Sequence, residues 1–409
     1  MSVTLWYVSK YLTLPTSRVG GRSYLLLQEL AKNSYKIVAF TSNANHLVAG
    51  PQMHSAQMRQ RVGDVDVVWV RTRRYVGAKS VGRVISWIHF EWRLWRTTQG
   101  SFARPNVVIV SSLSLLSILN GLLMRRRYRC ALIFEVRDIW PLTLTEEGGY
   151  SKLNPFIAAL GWLERLAYRA SDAVVGTMPN LAEHVREVAG DIATPVFCIP
   201  MGVDPVLLEE GESLSPEWCA EHFPRDKFVV CYAGTVGITN ALDDIITCAK
   251  RMRVHQDIHF LVVGEGDLKE TYRQECANLD NISFAPAVPK NQVQALLSKS
   301  DVLYFATRNS TVWKYGQSLN KVIDYMLAGK PIIASYSGYR TMINEANCGV
   351  YVPSEDVTAL VQAVEQMRDM PLAERKAMGA RGRAWLLQNR SYDRLAQTYH
   401  DLISSTLSR

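Results

Sequence analysis

Short apolar runs rich in β-branched residues alternate with helical stretches along the chain, and the alternation starts over once. Residues 3–8 (VTLWYV), 36–40, 65–70, 107–110, 131–135, 173–176 and 196–199 each have the composition of a buried strand. Helical patterns lie between them at 24–32, 113–124, 155–170 and 179–188. Strands alternating with helices predict a parallel sheet covered by helices on both faces. After IPMGVD (199–204) a polar, acidic stretch to Asp226 reads as a linker. The pattern restarts at 228–232 and continues through 260–263, 282–284, 302–305 and 332–334, with helices at 240–252, 267–277 and 291–298. The expected fold class is α/β, with two Rossmann-like domains, residues 1–203 and 204–388, and a last helical segment at 389–409.

Within the second domain the most informative stretch is Tyr315–Ile333, YGQSLNKVIDYMLAGKPII. A polar loop leads into a short apolar helix starting near Asn320. Gly329 stands where a left-handed C-cap residue is expected, and Lys330-Pro331 prevents continuation. The flanking strand runs put the loop and the helix N-terminus at the carboxyl end of a parallel strand, where open α/β sheets bind ligands. Unpaired N–H groups at a helix N-terminus favour an anion. Lys321 adds a full charge in the first turn, where a cation is otherwise disfavoured. Asp324 is three residues on and shares the helical face. A carboxylate there suits two neighbouring hydroxyls, as on a ribose. The alternative is a solvated Lys321–Asp324 pair.

Other strand ends carry glycines. Gly234, Thr235 and Gly237 follow the strand at 228–232, and backbone amides in such a loop can cradle a diphosphate. Gly264, Glu265 and Gly266 follow the next strand as a partial G-x-G-x-x-G, with Lys269 in place of the third glycine. There is no G-x-x-x-x-G-K-[ST], which excludes a P-loop nucleotidase. In the first domain, Gly20 and Gly21 precede Arg22 at a helix start. Arg137 and Asp138 end the strand at 131–135. They face a ligand crevice or pair with each other.

The seven cysteines are scattered and form no C-x-x-C, and the eight histidines have no metal-ligand spacing. This argues against a disulfide framework or a zinc site. The start, MSVTLWYVSK, is too short and polar for a signal peptide. Val107–Met124 is uncharged, but a strand followed by a helix explains it better than a membrane span. Residues 1–203 hold 24 Lys+Arg against 13 Asp+Glu, whereas 204–409 hold 22 against 25. The net +8 therefore comes from the first half, which directs that half to an anionic surface. VGRVISWIHFEWRLWR (81–96) and MRRRYR (124–129) combine arginines with interfacial aromatics, as anionic membranes favour. A core helix with solvated arginines is the alternative for 81–96.

Taken in order, GGRSYLLLQELA (20–31), FTSNANHL (40–47), EVRDIWP (135–141), IPMGVD (199–204), YAGTVG (232–237), VVGEGD (262–267) and SLNKVIDYMLAGKPI (318–332) resemble the retaining GT-B glycosyltransferases of family 4. Within that family the chain is most similar to the bacterial O-antigen and capsule branch, the aminodeoxysugar (L-fucosamine-type) transferases. The resemblance covers nearly the whole chain. It implies two Rossmann-like domains with facing strand ends and a cleft between them. The first would bind the acceptor and the second the nucleotide sugar, with the last helix crossing back to the first domain. It implies transfer, with retention, from a nucleoside-diphosphate sugar, UDP-linked, to a polyprenyl-diphosphate-linked glycan in O-antigen, lipopolysaccharide or capsule synthesis. No cofactor, metal or nucleic acid would be involved. The protein would be cytoplasmic, peripheral on the inner face of the membrane. The rival readings are a UDP-sugar epimerase or hydrolase of the same fold, and a non-catalytic scaffold of a polysaccharide assembly complex.

On the family pattern Asp324 falls on the second carboxylate of E-x₇-E, the one that holds the ribose, while Gly316 stands at the first. Arg137 stands at the catalytic-loop histidine. The basic pair that commonly follows the YAG-type loop is missing between Ile238 and Leu242. Diphosphate charge then falls to the amides of 234–237, to Lys321, and to Lys314 or Arg308. The implied catalytic residues are Asp138, Arg137 and Lys321. The implied binding residues are Gly20, Gly21, Arg22, Gly234, Thr235, Gly237, Gly264, Glu265, Gly266, Lys314, Ser318, Leu319, Asn320 and Asp324, with the base near Ala285–Val288.

Overall fold

The computed structural model describes residues 3–14, 21–33, 35–45, 50–75, 80–100, 102–112, 114–209 and 211–408. The chain divides into two compact units, Met1–Pro200 with Tyr392–Arg409, and Met201–Ser391.

The first unit is built on strands β1 (Thr4–Val8), β2 (Lys36–Ser42), β3 (Gln57–Val62), β4 (Val65–Val70), β5 (Val107–Ser111), β6 (Ala131–Val136), β7 (Ala173–Gly176) and β8 (Val196–Cys198). They form one sheet in the order β3-β4-β2-β1-β5-β6-β7-β8. All pairs are parallel except β3 with β4. The central strands are buried on both faces, which is why they appear in the sequence as unbroken apolar runs rather than alternating ones. Its helices are α1 (Arg22–Lys32), α2 (Val81–Thr98), α3 (Ser117–Tyr128), α4 (Leu142–Glu146), α5 (Pro155–Ala170) and α6 (Leu181–Ala189). The helix expected at 113–124 starts and ends four residues later, so the basic run at 125–127 is its last turn. Strand β3 was not expected. Its sequence, QMRQRV, is polar and lies on the sheet edge. Gly63-Asp64, with Gly63 at φ +54°, closes a two-residue hairpin to β4, and this Gly-Asp pair was the readable signal.

In the second unit the helices are α7 (Pro216–His222), α8 (Asp243–Arg251), α9 (Lys269–Glu275), α10 (Val293–Ser298), α11 (Asn320–Leu327), α12 (Met342–Ala346), α13 (Val357–Asp369) and α14 (Leu372–Asn389). Its strands are β9 (Phe228–Ala233), β10 (Ile258–Val263), β11 (Ile282–Ala285), β12 (Val302–Ala306), β13 (Ile332–Ser335) and β14 (Gly349–Val352), all parallel, in the order β11-β10-β9-β12-β13-β14. The stretch read as a linker at 204–226 instead packs onto this unit, burying Leu207 and Leu214 against the sheet helices. The last helix, α15 (Tyr392–Leu407), belongs to the first unit. It lies on α1 and buries Tyr392, Leu395, Tyr399 and Leu402 there.

Candidate functional site

In the second sheet the strand order reverses between β9 and β12, so the loops leaving their carboxyl ends diverge and leave a crevice. The loop after β9 carries Gly234–Gly237. The loop after β12 carries Arg308, Lys314 and Gly316–Leu319, and then enters α11. Two side chains of α11 pin it to the end of β9. The buried Tyr325 hydroxyl accepts from the Ala233 amide at 2.8 Å and lies 3.1 Å from the Ala233 carbonyl, to which it donates. Lys321 reaches the same place. Its Nζ donates to the Tyr232 hydroxyl at 3.0 Å and to Asn240 Oδ1, and lies 4.7 Å from the centre of the Tyr232 ring.

The Lys321 ammonium is half-buried, and among the described residues no carboxylate pairs with it. Burial pushes its pKa down to about 8. A Cβ placed on Gly234 would sit 3.5 Å from Lys321 Nζ, so the charge lies directly against the glycine loop. The first two amides of α11, at Asn320 and Lys321, have no backbone partner among the described residues, and the Leu319 amide is capped by Gln317 Oε1 at 3.1 Å. Gln317 is buried, and its Nε2 has no acceptor among the described residues. An uncompensated ammonium, free helix-start amides and an orphaned amide donor all call for an anionic or acceptor-rich ligand.

The glycines act differently from the sequence expectation. Gly234, Gly264 and Gly266 have φ of +156°, +146° and +158°. A Cβ on Gly264 would lie 1.8 Å from the Gly234 carbonyl, and one on Gly266 would lie 2.1 Å from the Val236 carbonyl. Gly264 and Gly266 thus let the β10 loop pack against the β9 loop, rather than opening space for a ligand themselves. The Gly234 and Val236 amides donate to Val263 and Glu265 carbonyls, both at 2.9 Å. Only Thr235 and Gly237 keep amides without a partner among the described residues of 234–237. The exposed Glu265 carboxylate takes Lys269 Nζ at 2.9 Å and the Ala287 amide at 3.3 Å. Lys269 at the third-glycine position therefore braces this loop against 285–287.

Asp324 does not pair with Lys321. Both of its carboxylate oxygens accept from Lys290 Nζ, at 3.0 and 2.8 Å. Burial raises its pKa and Lys290 lowers it. Lys290 follows the 285–288 loop and was not singled out from the sequence, because 34 residues separate the pair. Ser318 Oγ accepts the Met201 amide at 2.9 Å, so it fixes the loop. Asn320 is exposed at the helix start, and Lys314 is exposed on the preceding turn beside the Tyr315 ring. Arg308 donates to the Ile238 carbonyl at 3.1 Å and pairs with Asp243 at 2.8 Å. It thereby brings a cation to the segment that lacks one in sequence. Gly316 has φ +92°, a conformation a glutamate would adopt only under strain, so the first carboxylate of the family pattern has no ready place in this backbone.

In the first unit, Gly20 lies outside the described residues. Gly21 caps α1 and packs so closely on Thr13 that a Cβ would lie 2.7 Å from the Thr13 Cβ. Arg22 corrects the sequence expectation. Its side chain is fully buried and bonds Glu135 Oε1 at 2.8 Å through Nη1, while Nε donates to the Pro200 carbonyl and Nη2 to the Ile199 carbonyl. It is a structural charge, not a phosphate contact. Glu135 also accepts from Tyr7 at 2.6 Å and from Tyr399 at 3.4 Å, so β1, α1, β6 and α15 meet at one buried carboxylate. We expect Glu135→Gln to lower stability by about 3–5 kcal/mol, because Arg22 would be left without its counter-charge. Urea unfolding measures this, and an unchanged midpoint would show the pair to be dispensable.

Arg137 and Asp138 follow β6 as expected, but they do not pair with each other within 4.0 Å. Arg137 Nη1 donates to Ser23 Oγ at 2.8 Å, and Ser23 lies 2.7 Å from the Tyr7 hydroxyl. Asp138 is exposed, and among the described residues its carboxylate has no hydrogen-bond partner. The protein around it raises its pKa, and Arg137 and Arg83 pull it back down. A carboxylate held at a strand end with no partner is available to a substrate. No group of three or more His, Cys, Asp or Glu among the described residues is gathered to hold a metal ion.

Two family models match the chain in tandem. Residues 20–202 match the glycosyl transferase 4-like domain, and residues 227–369 match glycosyl transferases group 1. The chain belongs to the glycosyltransferases of GT-B type that these domains define. A GDP-mannose-dependent α-(1-6)-phosphatidylinositol monomannoside mannosyltransferase of Mycobacterium tuberculosis is 27% identical over 184 residues, which are 43% of this chain and 46% of that protein. The match thus spans about half the length of that relative. The sucrose-phosphate synthase of Thermosynechococcus elongatus has the same fold, with a TM-score of 0.73 at 16% identity over 99% of both chains. HepE of Anabaena, solved with UDP and glucose, matches at a TM-score of 0.65 and 12% identity over 98% of this chain and 100% of that one.

Proposed function

We propose that the protein transfers a sugar, with retention of configuration, from a UDP-linked donor to a polyprenyl-diphosphate-linked saccharide, as in O-antigen or capsule synthesis. The observation that carries the donor half is the Lys321 ammonium, set against Gly234 at the start of α11 without a carboxylate partner. Charge builds on the diphosphate as the sugar departs. The fixed ammonium, the Thr235 and Gly237 amides and the first amides of α11 meet that charge without reorganising. Asp324 takes the ribose, and the base lies along Ala285–Val288. Arg137 and Asp138 orient the acceptor or the sugar. With these protein groups as the charge partners, activity should survive EDTA. The test is release of nucleoside diphosphate from a panel of donors in EDTA, with and without a lipid-linked acceptor. Acceptor-dependent release supports the reading. Free sugar released without acceptor would mean an epimerase or hydrolase, and no release from any donor would mean a scaffold.

The acceptor half of the proposal rests on a surface of the first unit. Along α2, Val81, Ile85, Ile88 and Trp92 recur at helical spacing and are 77%, 42%, 59% and 50% exposed. Leu119 and Leu123 of the neighbouring α3 are also exposed. Arg96 and Arg93 lie over the Trp92 ring, and Arg73 and Arg74 before α2 and Arg126 and Arg127 in the last turn of α3 are exposed. Trp87 and Phe90 are core residues, and Arg125 is tied to Asp172, so these three leave the surface set. No helix among the described residues is long and apolar enough to cross a membrane. An apolar stripe edged by arginines suits peripheral binding to an anionic bilayer on the cytoplasmic face, at about 1 kcal/mol per basic residue. Vesicle co-sedimentation should require anionic lipid and fall with salt, and Ile88→Glu should weaken it. Equal recovery on neutral and anionic vesicles would reject the idea.

A further inference from the structure

Lys290 holds the carboxylate assigned above to the ribose, and its chemistry extends that assignment, on which this inference rests. The Nζ bridges both oxygens of Asp324, and the two side chains are 33% and 15% exposed. The turn that carries Lys290, Lys290–Gln292, directly follows the Ala285–Val288 loop and leads into α10. The other groups around Asp324 do not replace it. Gln294 of α10 donates to the Asp324 backbone carbonyl at 3.1 Å, Tyr325 turns to Ala233, and Arg383 of α14 bonds the Leu327 carbonyl. Lys321, on the same face, is held by Tyr232 and Asn240.

We propose that Lys290 is a positioning residue for donor binding, which keeps the Asp324 carboxylate ionised and aimed so that it can accept the ribose hydroxyls of a nucleoside-diphosphate sugar. A carboxylate in a half-buried place resists ionisation, and a bidentate ammonium opposes that resistance. Each oxygen has a second lone pair, so the lysine and a ribose diol share the carboxylate rather than compete for it. Without Lys290 the burial effect is unopposed and the Asp324 pKa rises further. The protonated acid has one fewer acceptor site for the diol. Donor affinity is therefore present above that pKa and is lost as pH falls through it, and loss of Lys290 moves the limb to higher pH.

The experiment measures affinity for UDP-glucose and for GDP-mannose, whose diphosphate diesters lack the titration near pH 6 of a terminal phosphate. Wild type, Lys290→Met, Lys290→Arg and Asp324→Asn are compared from about pH 8 down to about pH 5, with melting curves for each. The expected result is an acid limb displaced upward in Lys290→Met, costing about tenfold for each pH unit below the displaced pKa. Lys290→Arg should follow wild type, and Asp324→Asn should be weak at every pH with no such limb. Parallel profiles for Lys290→Met and wild type, with Asp324→Asn weakened, would overturn the role of Lys290 alone. Normal binding by Asp324→Asn would instead overturn the assignment of α11 to the nucleoside, and Lys290 with it.

Discussion

Lys321→Met should cost about 10²–10³-fold in saturated rate, the size seen when one fixed donor to a developing oxyanion is removed. Donor affinity should fall as well, because the ammonium meets the diphosphate before the sugar leaves. The variant should fold at least as well as wild type. Its ammonium is half-buried and has no carboxylate partner among the described residues, so removing it relieves a burial cost instead of breaking an ion pair. The pH dependence follows with a definite sign. Lys321 titrates near 8 in the free protein, is charged below that, and loses its charge above it. Affinity for a diphosphate diester should thus weaken as pH rises through about 8 in wild type. Lys321→Met should lack that alkaline limb. Asp324→Ala, by contrast, should weaken donor and free nucleotide alike with little further loss of rate, since the ribose is unchanged in the reaction. A Lys321→Met enzyme that binds and turns over normally would remove the anion site.

Asp138→Asn is the second large effect. The carboxylate has no partner among the described residues, so the substitution breaks no ion pair and the melting temperature should hardly move. Turnover should fall by about 10- to 100-fold, the equivalent of 1.5–3 kcal/mol for a hydrogen bond to a charged group. Steady-state rates and melting curves on the same preparation separate the two outcomes. Early melting with normal specific activity would make Asp138 structural.

The elements that form the site were legible because each follows from local chemistry. Val302–Ala306 and Ile332–Ser335 are strands because β-branched apolar runs of that length suit a sheet buried on both faces. Helix α11 begins at Asn320 as read, and Gly329 has φ +66° beyond its end. What stayed hidden was side-chain partnership across the sheet. Arg22 at a helix start looked like a phosphate contact, and only the placement of β6 beside it supplies Glu135, 113 residues away. Helical spacing left open a pair between Asp324 and Lys321 as the alternative to a ribose contact. The turn before α10 offers Lys290 instead, and Lys321 is drawn off by Tyr232 and Asn240. The glycines of the β9 and β10 loops were recognised as special positions. Whether the missing Cβ admits a ligand or a neighbouring carbonyl depends on strand register, which a single sequence does not carry.

Hydrogen–deuterium exchange of the whole chain, with and without saturating UDP, tests the nucleotide site most directly. The expected result is protection confined to peptides spanning 232–240, 285–292 and 316–325, and abolished for the 316–325 peptide in Lys321→Met. Protection that spares these three segments and falls elsewhere would contradict the assignment of α11, the 234–237 loop and the 285–288 loop to the donor.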